Sequence, residues 1–395
     1  MIRKILVPVF LLLLISCEKT FDTEILKFYG DAYENIGYSV AKGPDGYLIA
    51  GQYTRIERTY EGIKGSLKKL GVIETDIDGG MVRLDTTSLM QPSCGTRIIS
   101  SDDGSFVVAG NTTDPQGQTD IYVAKFAPGG EGGKDAFFKM DGYQTANDII
   151  KTAEGFLILG TTDAERGATG DLGNTKGKKD LLFLRINNDL SVISSVQTGF
   201  TGNDEGAAIK LKDNGFIIVG TTDRYRNATG NDVFVLSTNS ELDISPTSFR
   251  FIQKSGNQSA ADFEVLSDGL FIAGTNESDA GMHGYAWRIT GGILGNITSE
   301  NEISFGEERT IINSICPYKT NSFLMAGQYG SASSGSMLIF ATDMLGFPVQ
   351  GKSKIAGGTG NQTVHDVITD GEDIIVAGRN SYENNSMITL LKFRF

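Results

Sequence analysis

Asp213-Asn214-Gly215-Phe216-Ile217-Ile218-Val219-Gly220 combines a tight-turn pair, four apolar residues and a closing glycine. Asn-Gly and Asp-Gly pairs suit two-residue hairpin turns, so the apolar run reads as the second strand of a hairpin. The phrase is written six more times. It recurs as Tyr47-Leu48-Ile49-Ala50-Gly51, Phe106-Val107-Val108-Ala109-Gly110, Phe156-Leu157-Ile158-Leu159-Gly160, Leu270-Phe271-Ile272-Ala273-Gly274, Phe323-Leu324-Met325-Ala326-Gly327 and Ile374-Ile375-Val376-Ala377-Gly378. Successive glycines are 59, 50, 60, 54, 53 and 51 residues apart.

Three further strand-like runs accompany each phrase. In the third copy they are Asn147 to Thr152 before it, and Asp180 to Ile186 and Val192 to Thr198 after it. Four strands per repeat, seven times over, predict an all-β fold: a seven-bladed β-propeller of four-stranded antiparallel blades. The nearly unbroken apolar runs agree, because a strand covered on both faces by neighbouring blades need not alternate. Of 395 residues, 50 are glycine and only 8 proline, which fits many tight turns and excludes collagen. With 39% apolar residues the chain can fill a core, and no segment sustains the helical period of a solenoid.

The ring must also close, since an open array leaves an unpaired sheet edge. The seventh copy ends at its third strand, Met387 to Phe395, while Glu24 to Gly30 is a strand without a repeat. It resembles the fourth strands read at Ala136 to Gly142, Phe249 to Gly256 and Asn301 to Gly306, so Ile25 to Tyr29 is expected to complete the last blade.

At the N-terminus, Arg3 and Lys4 precede an apolar run from Ile5 to Ile15, too short to span a bilayer and laid out like a secretory signal. Leu14-Ile15-Ser16-Cys17 resembles a bacterial lipobox, which implies cleavage before Cys17 and acylation of that residue. The expected organisation is a signal peptide over 1–16, a lipidated tether over 17–23 and one propeller over 24–395. Without Arg3 and Lys4, 33 basic side chains face 48 acidic ones, a net charge of −15 that argues against nucleic acid as a partner. The repeated phrase resembles the "DGGFIIAG"-like, glycine-anchored repeats of propeller lipoproteins from Bacteroidota-type bacteria. That resemblance covers Glu24 to Phe395. It implies a lipid-anchored envelope protein, and such propellers serve as binding platforms, assembly subunits and occasionally enzymes.

The chemistry-bearing residues are few. His283 and His365 cannot make a multi-histidine metal centre, and neither a metal nor a cofactor is expected. Asp76-Ile77-Asp78-Gly79 starts like a calcium loop, but Met81 and Thr87 stand where glycine and glutamate are needed, so a hairpin turn is expected. Gly129 to Lys134 and Gly167 to Lys178 lack phosphate-loop spacing. Cys94 and Cys316 fall on the channel-lining strands of blades two and six, too far apart for a disulfide. Asp148, Asp262 and Asp366 each precede their anchor glycine by twelve residues. They are expected to be turn elements whose carboxylates accept backbone N–H groups at the start of that strand, the alternative being an acidic channel mouth. His365 beside Asp366 is the only His-Asp adjacency and is read as a satisfied surface or channel histidine, the alternative being a catalytic one.

Insertions in a propeller gather on one face. The links between second and third strands are longest in blade one, Gln52 to Gly79, then in blade three, Thr161 to Lys179, and blade four, Thr221 to Asn231. They carry Tyr53, Arg55, Arg58, Tyr60, Lys68, Lys69, Arg166, Lys178, Arg224, Tyr225 and Arg226, the Arg and Tyr composition of binding hot spots. The expected function is a non-catalytic protein–protein interaction platform of the outer membrane, an accessory subunit of a larger assembly. The alternative is a surface propeller that binds a glycan, with Tyr53, Tyr60 and Tyr225 as stacking surfaces, or less favourably cleaves one.

Overall fold

The computed structural model describes residues 24–31, 33–59, 62–101, 103–129, 133–164, 179–224, 230–245, 247–383 and 385–395. Among them, every strand belongs to one of seven four-stranded antiparallel sheets, each in consecutive order, which makes a seven-bladed propeller. Blade one comprises Ile36–Lys42, Tyr47–Thr59, Gly62–Thr75 and Met81–Thr86. Blade seven contributes Asn361–Asp370, Asp373–Tyr382 and Asn385–Phe393, and Ile25–Tyr29 pairs antiparallel with the last of these from Ile25↔Lys392 to Tyr29↔Ile388. The closing strand therefore has the bounds expected. Just beyond it a second fastening appears: Asn35 and Ser386 exchange backbone and side-chain hydrogen bonds at 3.0–3.1 Å, both fully out of solvent or nearly so.

Buried apolar side chains divide into one cluster for each pair of neighbouring blades. Leu157, Leu159, Phe183, Phe216, Ile218 and Phe234 fill the space between blades three and four. Tyr29, Val40, Tyr47, Ile49, Ile375 and Leu390 fill the space between blades seven and one, so the closing junction is packed like the others.

Two sequence expectations change. The fourth strands are shifted: Lys134–Phe138, Phe249–Ile252 and Asn296–Ile303 are paired, whereas Gly142, Gly256 and Gly306 lie beyond them in turns at positive φ. Those glycines serve the passage to the next blade. The described residues of the stretch Gln52 to Gly79 are not a loop but the end of the second strand, the whole third strand and the start of the turn after it, paired from Leu48↔Glu74 out to Thr59↔Gly62. Its β-branched residues Thr54, Ile56, Thr59 and Ile63 favour extended backbone, which loop reading overlooked. Asp76 to Gly80 is the expected hairpin turn, the Asp76 carboxylate accepting the Asp78 and Gly80 N–H groups.

Candidate functional site

The anchor glycine explains the channel. Each first strand carries a bulge at the same place, between Gly37 and Ser39, Gly95 and Arg97, Ala146 and Asp148, and their equivalents in the other blades. The bulge turns a carbonyl onto the anchor. A Cβ on Gly51 would lie 1.9 Å from Ile36 O, one on Gly110 2.0 Å from Cys94 O, and one on Gly327 1.9 Å from Ile311 O. Space, not φ, demands glycine there. The extra residue then sets two consecutive side chains per blade toward the axis.

The lower of these two layers is ionic. Arg97 of blade two meets all three aspartates: Nε lies 3.1 Å from Asp148 Oδ1, Nη1 3.2 Å from Asp366 Oδ1 and Nη2 3.9 Å from Asp262 Oδ2. Asp148 also accepts the N–H groups of Ile149 and Ile209, and Asp366 accepts from Val40, Val367, Ser39 and Ser314. Backbone N–H acceptance was expected of these residues. Their location was not: they are buried inside strands, past the bulge, rather than in turns. Arg97 escaped the twelve-residue count because the first hairpin of blade two is one residue longer. Ser100 there pairs with Phe106, where blade three pairs Lys151 with Phe156, so Arg97 stands thirteen residues before Gly110. Counting from the bulge would have found it.

Burial pushes the Asp148 carboxyl above its ordinary range even against Arg97. One step further along the channel, Lys210 holds Glu264 at 2.7 Å. Burial works against the Lys210 charge, but Asp262 and Glu264 outweigh it and hold the ammonium above its usual range.

The upper layer consists of the bulge residues. Thr96, Asn147 and Asn313 each donate to a backbone carbonyl of the next blade, Ala146 O, Gly206 O and Val364 O. Tyr38 and His365 face each other, ring centroids 5.0 Å apart. His365 makes no dyad with Asp366. Burial first, and the Arg379 charge second, push its imidazole down to about 4, so it is neutral at physiological pH. Where the bulge residues are Ala207 and Ala261 the channel widens into an open cavity of about 560 Å³, lined also by Asn111, Thr161, Thr221 and the ion pair Lys179–Glu205. A groove follows the rim past Asp223, Asn257 and Glu277. Its described charges are mostly acidic.

The residues proposed for partner binding are only partly brought together. Tyr53, Arg55 and Lys68 share the blade-one ribbon, with Arg55 exposed and Lys68 paired to Glu34. Lys69 is corrected: it is 3% exposed and donates to Thr87 O at 2.9 Å, so it serves the interior. Arg224 belongs to blade four, far from the ribbon, and lies 5.3 Å over the Phe251 ring. Arg58 is described by its backbone pairing with Ile63 alone, and Cys17, Tyr60, Arg166, Lys178, Tyr225 and Arg226 lie outside the described residues. Cys94 and Cys316 are free, and burial raises both thiols, which leaves them poor nucleophiles. Among the described residues no cluster of His, Cys, Asp and Glu suits a metal ion.

No protein-family pattern matches the chain, and no curated protein matches it in sequence. Solved structures do resemble it. An α-L-arabinofuranosidase from Fusarium graminearum, in complex with an iminosugar inhibitor, is 9% identical with a TM-score of 0.50, covering 95% of this chain and 98% of that one. The β-propeller domain of the trilobed protease from Pyrococcus furiosus is 10% identical with a TM-score of 0.46, over 92% and 94% of the two chains. A protein of unknown function from Dyadobacter fermentans is 11% identical with a TM-score of 0.49, over 75% and 93%. At such identity the likeness concerns the fold alone.

Proposed function

We propose that this propeller is a non-catalytic binding platform of the cell envelope, lipid-anchored through Cys17 to the outer membrane and accessory to a larger assembly. The observation that carries the reading is the blade-one ribbon. Its strands run eight residues beyond Gly51 and pair out to Thr59↔Gly62, whereas the second strands of blades three and four stop two residues past their anchor. At about 3.3 Å per residue the ribbon stands roughly 20 Å proud of that rim. A lone two-stranded ribbon is marginal in water and leaves both edges unpaired, so a structure that retains one has a use for it. The closing strand supports the same orientation. It starts at Ile25 opposite Lys392, at the far end of blade seven from the second-to-third links, so a tether over 17–23 leaves the ribbon face turned away from the membrane. The channel carboxylates Asp148, Asp262 and Asp366 are held by Arg97, which disfavours them as a catalytic pair.

The test is to shorten the ribbon, removing residues 56–66 and joining Arg55 to Leu67 through Asn-Gly. Affinity purification from membranes should then lose the partner while the unfolding midpoint stays within about 1 kcal/mol of the parent. Retention of the partner at the parental level overturns the platform reading, and a Cys17→Ser chain that still fractionates with membranes overturns the lipid anchor. Glycan binding is the second reading, favoured by the polar cavity and by Tyr143, 42% exposed at its edge. It predicts glycan retention that survives ribbon removal.

A further inference from the structure

At the channel mouth, three side chains of blades seven and one lie close together without satisfying one another. Tyr38 and His365 are the bulge residues of their blades and touch through their rings. Arg379 follows the anchor Gly378 and pairs with Thr363, two residues before His365, and its charge acts on both His365 and Tyr38. Arg379 Nε and His365 Nε2 are buried and have no hydrogen-bond partner. The Tyr38 hydroxyl has none among the described residues. About nine in ten buried polar groups are paired, so two neighbouring orphans mark a place for a partner from outside.

The surroundings define that partner's charge. Arg97 and its aspartates one layer below are bonded to each other and to backbone. Glu34 is held by Lys68 and Gln52. Among the described residues Arg379 is left as the cation without an ion pair, its charge reaching Glu34 only at a distance, and it is flanked by two neutral groups able to donate. One charge with two neutral donors matches a planar monoanion, for which a guanidinium offers parallel N–H groups. A dianion would meet Glu34 and Asp366 with no second cation to offset them.

We propose that Arg379, His365 and Tyr38 form a carboxylate-binding site, which takes the acid group of a simple organic acid or of an acidic sugar. The cavity over Thr96, Asn147 and Ala261, at the same level of the channel, receives the rest of a larger ligand. The site does not depend on whether the ribbon grips a partner.

The full chain in detergent, titrated calorimetrically with D-glucuronate, acetate, D-glucose and inorganic phosphate, tests the assignment. Glucuronate should bind saturably and glucose should not. Arg379→Gln should weaken glucuronate at least tenfold, and Tyr38→Phe, which keeps the ring packing, should weaken it severalfold. With two histidines in the chain, the His365 imidazole resonance is assigned by its loss in His365→Gln, and it should shift with glucuronate alone of the two sugars. Glucuronate binding tighter than acetate assigns a sugar acid, and equal affinities assign a simple carboxylate. The site is overturned if no carboxylate binds, if Arg379→Gln and Tyr38→Phe both bind like the parent, or if phosphate binds more tightly than glucuronate.

Discussion

Tyr38 and Ser39 are neighbours in sequence, as are His365 and Asp366, yet where blades seven and one meet, the two channel layers they belong to treat buried polarity in opposite ways. In the lower layer the carboxylates are answered: Asp366 takes two hydroxyls, two backbone N–H groups and Arg97. In the upper layer Thr96, Asn147 and Asn313 are answered by backbone carbonyls, but where blades seven and one meet, His365 Nε2 and the Nε of neighbouring Arg379 have no partner. The first arrangement sews all seven blades to one another around the axis, through Ser39, Arg97, Asp148, Ile209, Asp262, Ser314 and Asp366, and leaves nothing to offer. The second leaves donors that only an outside molecule can satisfy. Charge within a fold thus reads as structure or as a site according to whether its partners are already supplied, not according to how conspicuous it is.

The harshest way to break this comparison is to unbalance the lower layer. Arg97→Ala leaves Asp148 and Asp366 in the channel without their cation and Asp262 with Lys210 alone, and removing one member of a buried pair costs about 3–5 kcal/mol. The urea midpoint should fall accordingly at pH 7, and part of the loss should return at pH 4, where the orphaned acids can take up protons. A loss below about 1 kcal/mol at pH 7 would mean that the guanidinium merely occupies the channel.

A buried carboxylate lacking a cation gives the next largest effect. Asp204 opens the first strand of blade four, wholly buried, and accepts the Phe200 N–H at 2.5 Å with no ion pair among the described residues. Burial pushes it up to about 7, with Asp180 and Asp223 adding to the shift against the donors Thr222 and Phe200. Between roughly pH 4 and 7 the folded state keeps a proton that the unfolded chain has released. Stability from this group is therefore present at low pH and falls as pH rises through that window, by about 4 kcal/mol at most. Asp204→Asn should be more stable than the parent at pH 8 and lose that advantage near pH 4. His365, neutral when folded down to about pH 4, acts in the other direction. Comparing urea midpoints of variant and parent at each pH isolates Asp204.

How far the amino-acid order reveals these features depends on what each requires. The blades were legible because the bulge carbonyl excludes any Cβ at Gly51, Gly110 and their equivalents, so a steric rule repeats in the letters. The closing strand was legible as a strand without a repeat. The ionic layer was half legible: three aspartates kept a fixed distance from their glycines, and one additional hairpin residue concealed Arg97. The face of Lys69 was not legible, because charge says nothing about which side of a strand is covered by a neighbouring blade. The Arg379 site was still less so. Its three members come from two blades joined only by closure of the ring, and nothing but their missing partners distinguishes them.

The smallest effect sharpens the comparison most, because it separates adjacent residues. Ser39 donates to Asp366 at 2.8 Å, and its oxygen lies 3.3 Å from the Ile98 N–H. Ser39→Ala therefore removes a hydrogen bond to a carboxylate and should cost about 1.5–3 kcal/mol. Tyr38→Phe removes a hydroxyl that no described residue engages while its ring still packs on His365. Its stability should stay within about 0.5 kcal/mol of the parent. Urea unfolding of the two variants with equal m-values reads the difference directly. If Tyr38→Phe costs as much as Ser39→Ala, the upper layer is structural after all, and the Tyr38 hydroxyl has a partner within the folded chain.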